Sequence, residues 1–546
     1  MNKMPSLWLS AALGVSLALF ACGPTGFDGG NGVAGDADGD GISDADENRD
    51  AEFDTDQDGT PDYLDDDSDG DCIPDSIEAG DSDPNTPPRD SDGDGIPDFR
   101  DLDSDGDGLG DAQEDLDCNG EQNDGETSHL LADTDGDGAS DLVENAAKTD
   151  PLDPLSNPAA NGDFVFVVPY QNAPQPAEDD LNFSTELQMV DLYVLVDRSG
   201  SMKDEISSIR NNMQTVISNL TCPPLGTGTP GQCIRDIWSG LGTFTYAGRD
   251  PFVNRVDVQP NPSAIGSNMP GSDTGSCPNG GCVEPHLLAA FSVASGQGPS
   301  ATGCFGVSSY SDRFDCAGSP AGNTGVGYPC FRADALPVIL LATDEPPSTQ
   351  FSCPGFQTTS QAAAAIGARI VGIRGSSETS SEAAKVETDL KTLASSTGAV
   401  DSSGSPLVFP GANSGAAAAI ETGIRTLSNS LPLDIAGVAV DDTADDVDAV
   451  AAFVDRLETL QIDTPECSTG LGQQDSNSDG YPDVFTGVIA GTPVCWKLVP
   501  KINETVQGAA EPVLYRAEVQ VYGDRVTLLD TRNVFFVVPP DLGQVL

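Results

Sequence analysis

Between residues 36 and 150 the chain repeats one short acidic pattern, D-x-D-x-D-G-x-x-D-x-x-E/D, and no other feature restricts its fold as much. Asp36, Asp38, Asp40, Asp44 and Glu47 form the first copy around Gly41. Asp54, Asp56, Asp58, Asp62 and Asp65 form the second around Gly59. Asp67, Asp69, Asp71, Asp75 and Glu78 follow, with Cys72 where glycine is expected. Asp90, Asp92, Asp94, Asp98 and Asp101 come next, then Asp103, Asp105, Asp107, Asp111 and Glu114. Asp115, Asp117, Asn119 and Gly120 start a degenerate copy. Asp133, Asp135, Asp137, Asp141 and Glu144 close the series. Residues 28–153 carry 44 acidic and 4 basic residues, with only 17 residues of the types Ile, Leu, Val, Met, Phe, Tyr and Trp. Such a segment cannot collapse on its own apolar surface; it is disordered or held by positive charge. Ca²⁺ suits it, because that ion takes about six to eight hard oxygens. Oxygens at positions 1, 3 and 5 of a tight loop converge, glycine at position 6 allows the turn, and positions 9 and 12 close the shell. Mg²⁺ keeps its waters and fits less well. A merely solvated acidic linker would not place Gly and Asp so regularly.

These loops have EF-hand spacing but no room for EF-hand helices. They start at 36, 54, 67, 90, 103, 115 and 133, and Pro61, Pro74 and Pro97 fall inside three of them. The alternation of short and long spacings resembles thrombospondin type-3 repeats. That resemblance implies a calcium-bound irregular repeat array over residues 36–155. One more copy, Asp475, Asn477, Asp479, Gly480 and Asp483, lies far downstream.

The whole chain of 546 residues has 88 acidic and 24 basic side chains, a net charge of −64. A polyanion of this size repels nucleic acid and anionic membrane surfaces. Two histidines, His129 and His286, leave little scope for His-based zinc sites or triads.

Residues 1–21 read as a secretory signal: one Lys, then an apolar run from Leu7 to Ala21. Leu19-Phe20-Ala21-Cys22 resembles the lipobox of bacterial lipoproteins, which implies cleavage before Cys22 and its acylation. An ordinary signal peptide cut near Ala21 is the alternative. No later run approaches the length of a membrane span, so membrane attachment is expected through the lipid anchor only. Residues 22–35 read as a flexible linker. Of 13 cysteines, twelve remain after Cys22, an even number in an oxidising compartment. Proximity in sequence suggests the pairs Cys222–Cys233, Cys277–Cys282, Cys304–Cys316, Cys330–Cys353, Cys467–Cys495 and Cys72–Cys118.

Residues 156–185, rich in Pro and Asn, read as a second linker. Met189–Val196 is then an apolar run of buried-strand length, ending in Asp197-Arg198-Ser199-Gly200-Ser201. A helical pattern follows, with Ile206, Ile209, Met213, Val216, Ile217 and Leu220 on one face. This D-x-S-x-S after a strand resembles the first motif of the von Willebrand factor A domain. Pro337–Ala342 followed by Thr343-Asp344 resembles a second strand motif of that family. The resemblance implies an α/β doubly wound domain over residues 186–432, with Asp197, Ser199, Ser201 and Asp344 holding Mg²⁺ or another divalent cation. The family supplies a further Thr. Here the matching stretch, Gly280-Gly281-Cys282-Val283-Glu284-Pro285, has none, and Glu284 or water is the available oxygen.

Residues 433–546 carry β-branched, alternating runs and read as a small all-β, sandwich-like domain, with residues 446–460 a helix or an edge segment. The expected protein is thus multidomain: an exported outer-membrane lipoprotein, at its periplasmic or cell-surface face, that binds calcium and holds a protein or cell-surface ligand. The A-domain resemblance implies that an acidic partner side chain completes the metal shell. A second reading is a purely structural envelope protein whose A-type domain carries no metal. A hydrolase would need a nucleophile–base pair that the sequence does not offer, so the chain is read as no enzyme.

Overall fold

The computed structural model describes residues 35–230, 232–246, 248–273, 284–302, 307–346, 354–376, 379–509 and 512–540. The signal segment, Cys22, Cys277, Cys282, Cys304 and Cys353 lie outside the described residues. The described chain divides into two compact units: residues 35–104 with 111–122, and residues 105–110 with 123–540.

The first unit consists of loops separated by single helical turns. Three are 3-10 turns, Arg49–Ala51, Asp62–Leu64 and Asp98–Arg100; two are short helices, α1 (Asp75–Glu78) and α2 (Asp111–Glu114). Its apolar core is minimal, a cluster of Ile42, Ala79 and Phe99, as the scarcity of large apolar side chains dictates. Arginine makes up part of the deficit. Arg100 Nε donates to Asp62 at 2.6 Å, and its guanidinium stacks 4.7 Å from the Phe99 ring centre and 5.1 Å from Phe53. Arg89 pairs with Asp98 at 2.6 Å. The disulfide Cys72–Cys118 closes 46 residues of chain.

The second unit starts with α3 (Asp141–Ala147), β1 (Phe164–Val167) and β2 (Asp179–Phe183). An α/β part follows: β3 (Met189–Asp197), α4 (Lys203–Leu220), β4 (Asp236–Phe244), β5 (Val253–Gln259), α5 (Ala264–Asn268), α6 (His286–Ser295), β6 (Leu336–Thr343), α7 (Phe356–Ala365), β7 (Arg369–Arg374), α8 (Ser380–Ser396), β8 (Val408–Pro410) and α9 (Ala416–Ser430). The strands form one sheet in the order β5-β4-β3-β6-β7-β8, parallel except for β5. Counted along the chain this order is 3-2-1-4-5-6, the doubly wound arrangement, whose direction reverses between β3 and β6. Both central strands are almost wholly buried, as a parallel sheet covered on two faces requires. Val190, Leu192, Val194 and Val196 pack with Ile206, Ile209 and Met213 of α4. Tyr193 and Leu195 face the other way, with Leu287 of α6 and Val386 and Leu390 of α8. The helix face read from the sequence of α4 is the face that is buried.

The remainder is β structure: β9 (Pro432–Asp441), α10 (Ala449–Phe453), β10 (Val454–Leu460), β11 (Gly472–Gln474), β12 (Val484–Ile489), β13 (Val494–Pro500), β14 (Val513–Gly523) and β15 (Thr527–Val538). Two sheets result, β1-β15-β14-β9-β12-β11 and β10-β13-β2. Trp496 of β13 fills the space between them, edge-on to Phe485 at 5.1 Å and Phe183 at 5.6 Å. Opposite it stands Gly437, where a Cβ would come within 3.1 Å of the indole.

Two expectations are corrected here. Residues 156–185 do not form a linker, because β1 pairs in parallel with β15 and β2 pairs antiparallel with β13. Leu181 and Phe183 are buried at alternate positions, while Asp179, Asp180 and the surrounding turn residues gave the segment a polar look. The cysteine pairing also differs: Cys316 bonds Cys330, not Cys304, and Cys330 does not bond Cys353. A reversal that pairs Val326 with Phe331 turns the chain back on itself there. The pairs Cys72–Cys118, Cys222–Cys233 and Cys467–Cys495 form as expected. One apolar cluster runs from α4 and α9 through Leu431, Leu433 and Ile435 to Trp496 and Phe536, so the α/β and β parts share a core. No helix among the described residues is long and apolar enough to cross a membrane.

Candidate metal centres

Every acidic loop is wound by its own carboxylates. The aspartate at position 5 accepts the N–H of position 7: Asp40 from Ile42 at 2.7 Å, Asp58 from Thr60 at 2.7 Å, Asp71 from Ile73 at 2.6 Å, Asp94 from Ile96 at 2.7 Å, Asp107 from Leu109 at 2.7 Å and Asp137 from Ala139 at 3.0 Å. Position 1 takes N–H groups from position 4 or 6: Asp36 from Gly39 at 2.7 Å, Asp67 from Gly70 at 3.1 Å, Asp90 from Gly93 at 2.8 Å, and Asp54 from Gly59 at 3.2 Å. Asp133 takes both, from Gly136 and Gly138, at 2.8 Å each. Position 3 does the same for position 5, as Asp56, Asp69, Asp92, Asp105 and Asp135 show. These turns need a left-handed residue at position 6, and Gly59 (φ +106°) and Gly138 (φ +102°) supply it. Cys72 occupies the same position at φ +92°, tied to Cys118.

With the backbone turned this way, carboxylate oxygens of Asp36, Asp38 and Asp40 lie within 4.8 Å of one another. So do those of Asp54, Asp56 and Asp58, and those of Asp67, Asp69 and Asp71. Several are buried with no hydrogen-bond partner among the described residues: both oxygens of Asp38, Glu47, Glu78 and Glu144, and one each of Asp40, Asp69 and Asp71. Burial, reinforced by neighbouring carboxylates, pushes Glu47 up to about 9, Asp69 to about 9 and Glu78 to about 12. Buried anions left in this state are costly unless paired or metal-bound. An all-oxygen, multi-carboxylate donor set fits Ca²⁺.

Position 9 has a different first task from the one expected. It clasps position 2, where the sequence has Ser or Thr. Thr55 donates to Asp62 from N and Oγ1 at 2.8 Å each, and Ser68 to Asp75 at 2.8 and 2.6 Å. Ser91 donates to Asp98 at 2.7 and 2.8 Å, Thr134 to Asp141 at 3.1 and 2.6 Å, and the Ser104 N–H to Asp111 at 2.9 Å. The recurrent hydroxyl at position 2 was the sequence signal for this. In the first loop position 2 is Ala37, and Asp44 pairs with Arg49. Two of the position-9 carboxylates also reach another loop: Asp75 joins Asp40 and Glu47, and Asp111 joins Asp71 and Glu78. Position 12 also varies. Glu47, Glu78, Glu114 and Glu144 are buried, whereas Asp65 and Asp101 accept the N–H of Asp67 and Asp103, at 3.2 Å each, at the start of the next loop.

The downstream copy forms the turn between β11 and β12. Asp475 accepts from Ser478 at 2.7 Å and from Gly480 at 3.0 Å, and Asp483 clasps Ser476 at 2.6 and 2.7 Å. It is solvent-exposed, and Thr486 stands at its twelfth position.

The second cluster sits at the carboxyl ends of β3 and β6, where the winding of the sheet reverses and doubly wound folds take their ligands. Asp197 ends β3, fully buried. It accepts the Ser199 N–H at 2.8 Å and the Thr343 hydroxyl at 3.1 Å. Ser199 Oγ and Ser201 Oγ are 2.9 Å apart, and Ser201 also hydrogen-bonds Asp344, which follows β6. Burial and the Asp197 charge raise Asp344 to about 7. Glu284, just before α6, is buried against this group and hydrogen-bonds Asp197; burial pushes both carboxyls up, and the neighbouring Asp197 charge adds to the rise at Glu284. The sequence thus placed Asp197, Ser199, Ser201 and Asp344 in the cluster; Thr343 and the depth of Glu284 were not legible in it. Glu205 of α4 braces the rim, accepting the Ser376 N–H at 3.1 Å, the Ser376 hydroxyl at 2.7 Å and the Asn413 N–H at 2.8 Å.

The profile of the bacterial TSP3 repeat, a calcium-binding repeat, matches residues 36–50 and 133–154. No curated protein matches the chain. Among solved structures, the pilus adhesin SpaC from Lactobacillus rhamnosus GG in its open conformation is 12% identical, with TM-score 0.26 over 66% of this chain and 45% of that one. Proximal thread matrix protein 1 from the mussel byssus is 13% identical, with TM-score 0.27 over 48% and 51%. The human COPII-coat protein Sec24c is 8% identical, with TM-score 0.28 over 67% and 46%. The chain spans about half the length of these structures, and scores of this size do not define a common fold.

Proposed function

We propose that this chain is an exported, calcium-binding surface module that holds a protein or cell-surface partner through a divalent cation at the β3–β6 strand ends. The observation that carries this reading is the convergence of Asp197, Ser199, Ser201, Thr343 and Asp344 at the reversal of the doubly wound sheet. All five side chains offer hard oxygens, and burial makes the carboxylates there depend on a counter-charge. In this reading the α/β part is a von Willebrand factor A-like domain, and the cation supplies electrostatic attraction for a partner's oxygen. Asp197 anchors it from the strand, Ser199 and Ser201 offer hydroxyls, Thr343 orients Asp197, and Asp344 balances charge.

The acidic loops do separate work. They fix the shape of the chain ahead of the binding part by taking up Ca²⁺. Disulfides among the described residues fit an oxidising compartment. Export with Cys22 acylated at the outer membrane completes the reading, and the protein works by binding, not catalysis. The test is partner capture from native envelope by the intact protein. Asp197→Ala should lower capture at least tenfold with calcium present, and EDTA should abolish it. Capture unchanged by both treatments would remove the metal-dependent reading.

A further inference from the structure

Glu284 is the member of the strand-end cluster that stands where the sequence offers Glu284 or water in place of a Thr. It is an acidic side chain, only 3% exposed, and it stands among three other carboxyl groups. One of its oxygens meets Asp197 through a hydrogen bond; the other, Oε2, is buried with no partner among the described residues. The charges that act on it are Asp197, Asp344 and Glu345, all of its own sign. A lone core glutamate in such company would be displaced by any neutral side chain of similar size, because a buried unpaired carboxylate costs several kcal/mol. Two carboxyls in contact need a proton or a cation between them. Ser199 and Ser201 meet at 2.9 Å, Ser201 hydrogen-bonds Asp344, and the Asp344 charge acts on Glu284.

We infer that Glu284 is a third carboxylate ligand of the strand-end cation, supplying from within the chain the anionic oxygen that a partner would otherwise bring. This rests on the metal reading proposed above. The consequence concerns charge. A divalent ion held by Asp197 and Asp344 alone is neutral and attracts a further carboxylate. With Glu284 the centre carries a net negative charge, and Glu345 nearby adds to it. The cation is therefore held without a partner, and a partner reaches it with a neutral oxygen, a hydroxyl or carbonyl, not with an acidic side chain.

The test uses the full-length protein and Mn²⁺ as the probe, followed by equilibrium dialysis. The difference between wild type and Asp197→Ala isolates the strand-end ion from those of the acidic loops. Glu284→Gln, which keeps shape and removes charge, should shift that increment to Mn²⁺ concentrations ten- to a hundredfold higher, since carboxylate count tunes such affinities over wide ranges. In EDTA the same variant should melt at a higher temperature than wild type, because no buried carboxyl is left to be neutralised beside Asp197; a purely structural glutamate would give the opposite. A wild-type increment moved less than twofold by Glu284→Gln overturns this proposal while leaving the metal reading intact. No difference between wild type and Asp197→Ala overturns both.

Discussion

At the scale of single residues, a hydroxyl at position 2 clasps the carboxylate at position 9 in loop after loop. Ser68 gives Asp75 two hydrogen bonds, and Asp75 also stands with Asp40 and Glu47 of another loop. The two roles separate by mutation. Ser68→Ala keeps the N–H bond and removes the hydroxyl's bond to a charged acceptor, worth about 1.5–3 kcal/mol, and should lower the thermal stability of the calcium-loaded protein without changing the number of bound ions. Asp75→Ala should lower both, and ion counting by native mass spectrometry distinguishes them. If Ser68→Ala loses an ion as well, the clasp is part of the coordination shell. The ligand positions were readable because oxygen-rich turns leave a fixed spacing. The clasp is not readable from that spacing, because position 2 supplies no ligand in the calcium-loop pattern.

At the scale of elements, periodicity served where a segment is buried on one face or on both. The strand β3, the strand β6 and the apolar face of α4 all fall where the sequence puts them. It failed for β1 and β2, which are short, lie at sheet edges and are flanked by Pro, Asn and Asp. Their partners, β15 and β13, come more than 300 residues later, and no local pattern records such pairing. The correction is testable: Leu181→Ala should destabilise the protein by about 2–5 kcal/mol, as a core leucine does, in denaturant titration. A loss below about 0.5 kcal/mol would restore the linker. Gly437, set against Trp496, shows the same limit; its need for a bare backbone comes from a side chain 59 positions away.

At the scale of the molecule, two kinds of stabilisation coexist in one chain. The second unit has an extended apolar core; the first has three clustered apolar residues and many carboxylates. Their responses to pH differ accordingly. Without cations, Glu47 and Asp69 hold protons up to about pH 9 in the folded first unit, whereas an unfolded carboxyl loses its proton near pH 4. The unfolded chain then binds fewer protons, so stability falls as pH rises from about 4 to about 9. Calcium reverses the sign, since it binds the ionised form and expels those protons. Protease cleavage within residues 36–122 should therefore be faster at pH 8 than at pH 5 in EDTA, and slower at pH 8 than at pH 5 in calcium. The same order in both media would show that these carboxyls are not the ligands. The sharing of Asp75 and Asp111 between loops carries this further. An ion that settles by Asp40 and Glu47 fixes Asp75, and with it the turn that presents Asp71 and Glu78 to the next ion. Occupancy should climb over a narrower span of calcium concentration than independent sites allow, with a Hill slope above one in a calcium titration. The array then behaves as a threshold: slack where calcium is scarce, set at once where it is plentiful.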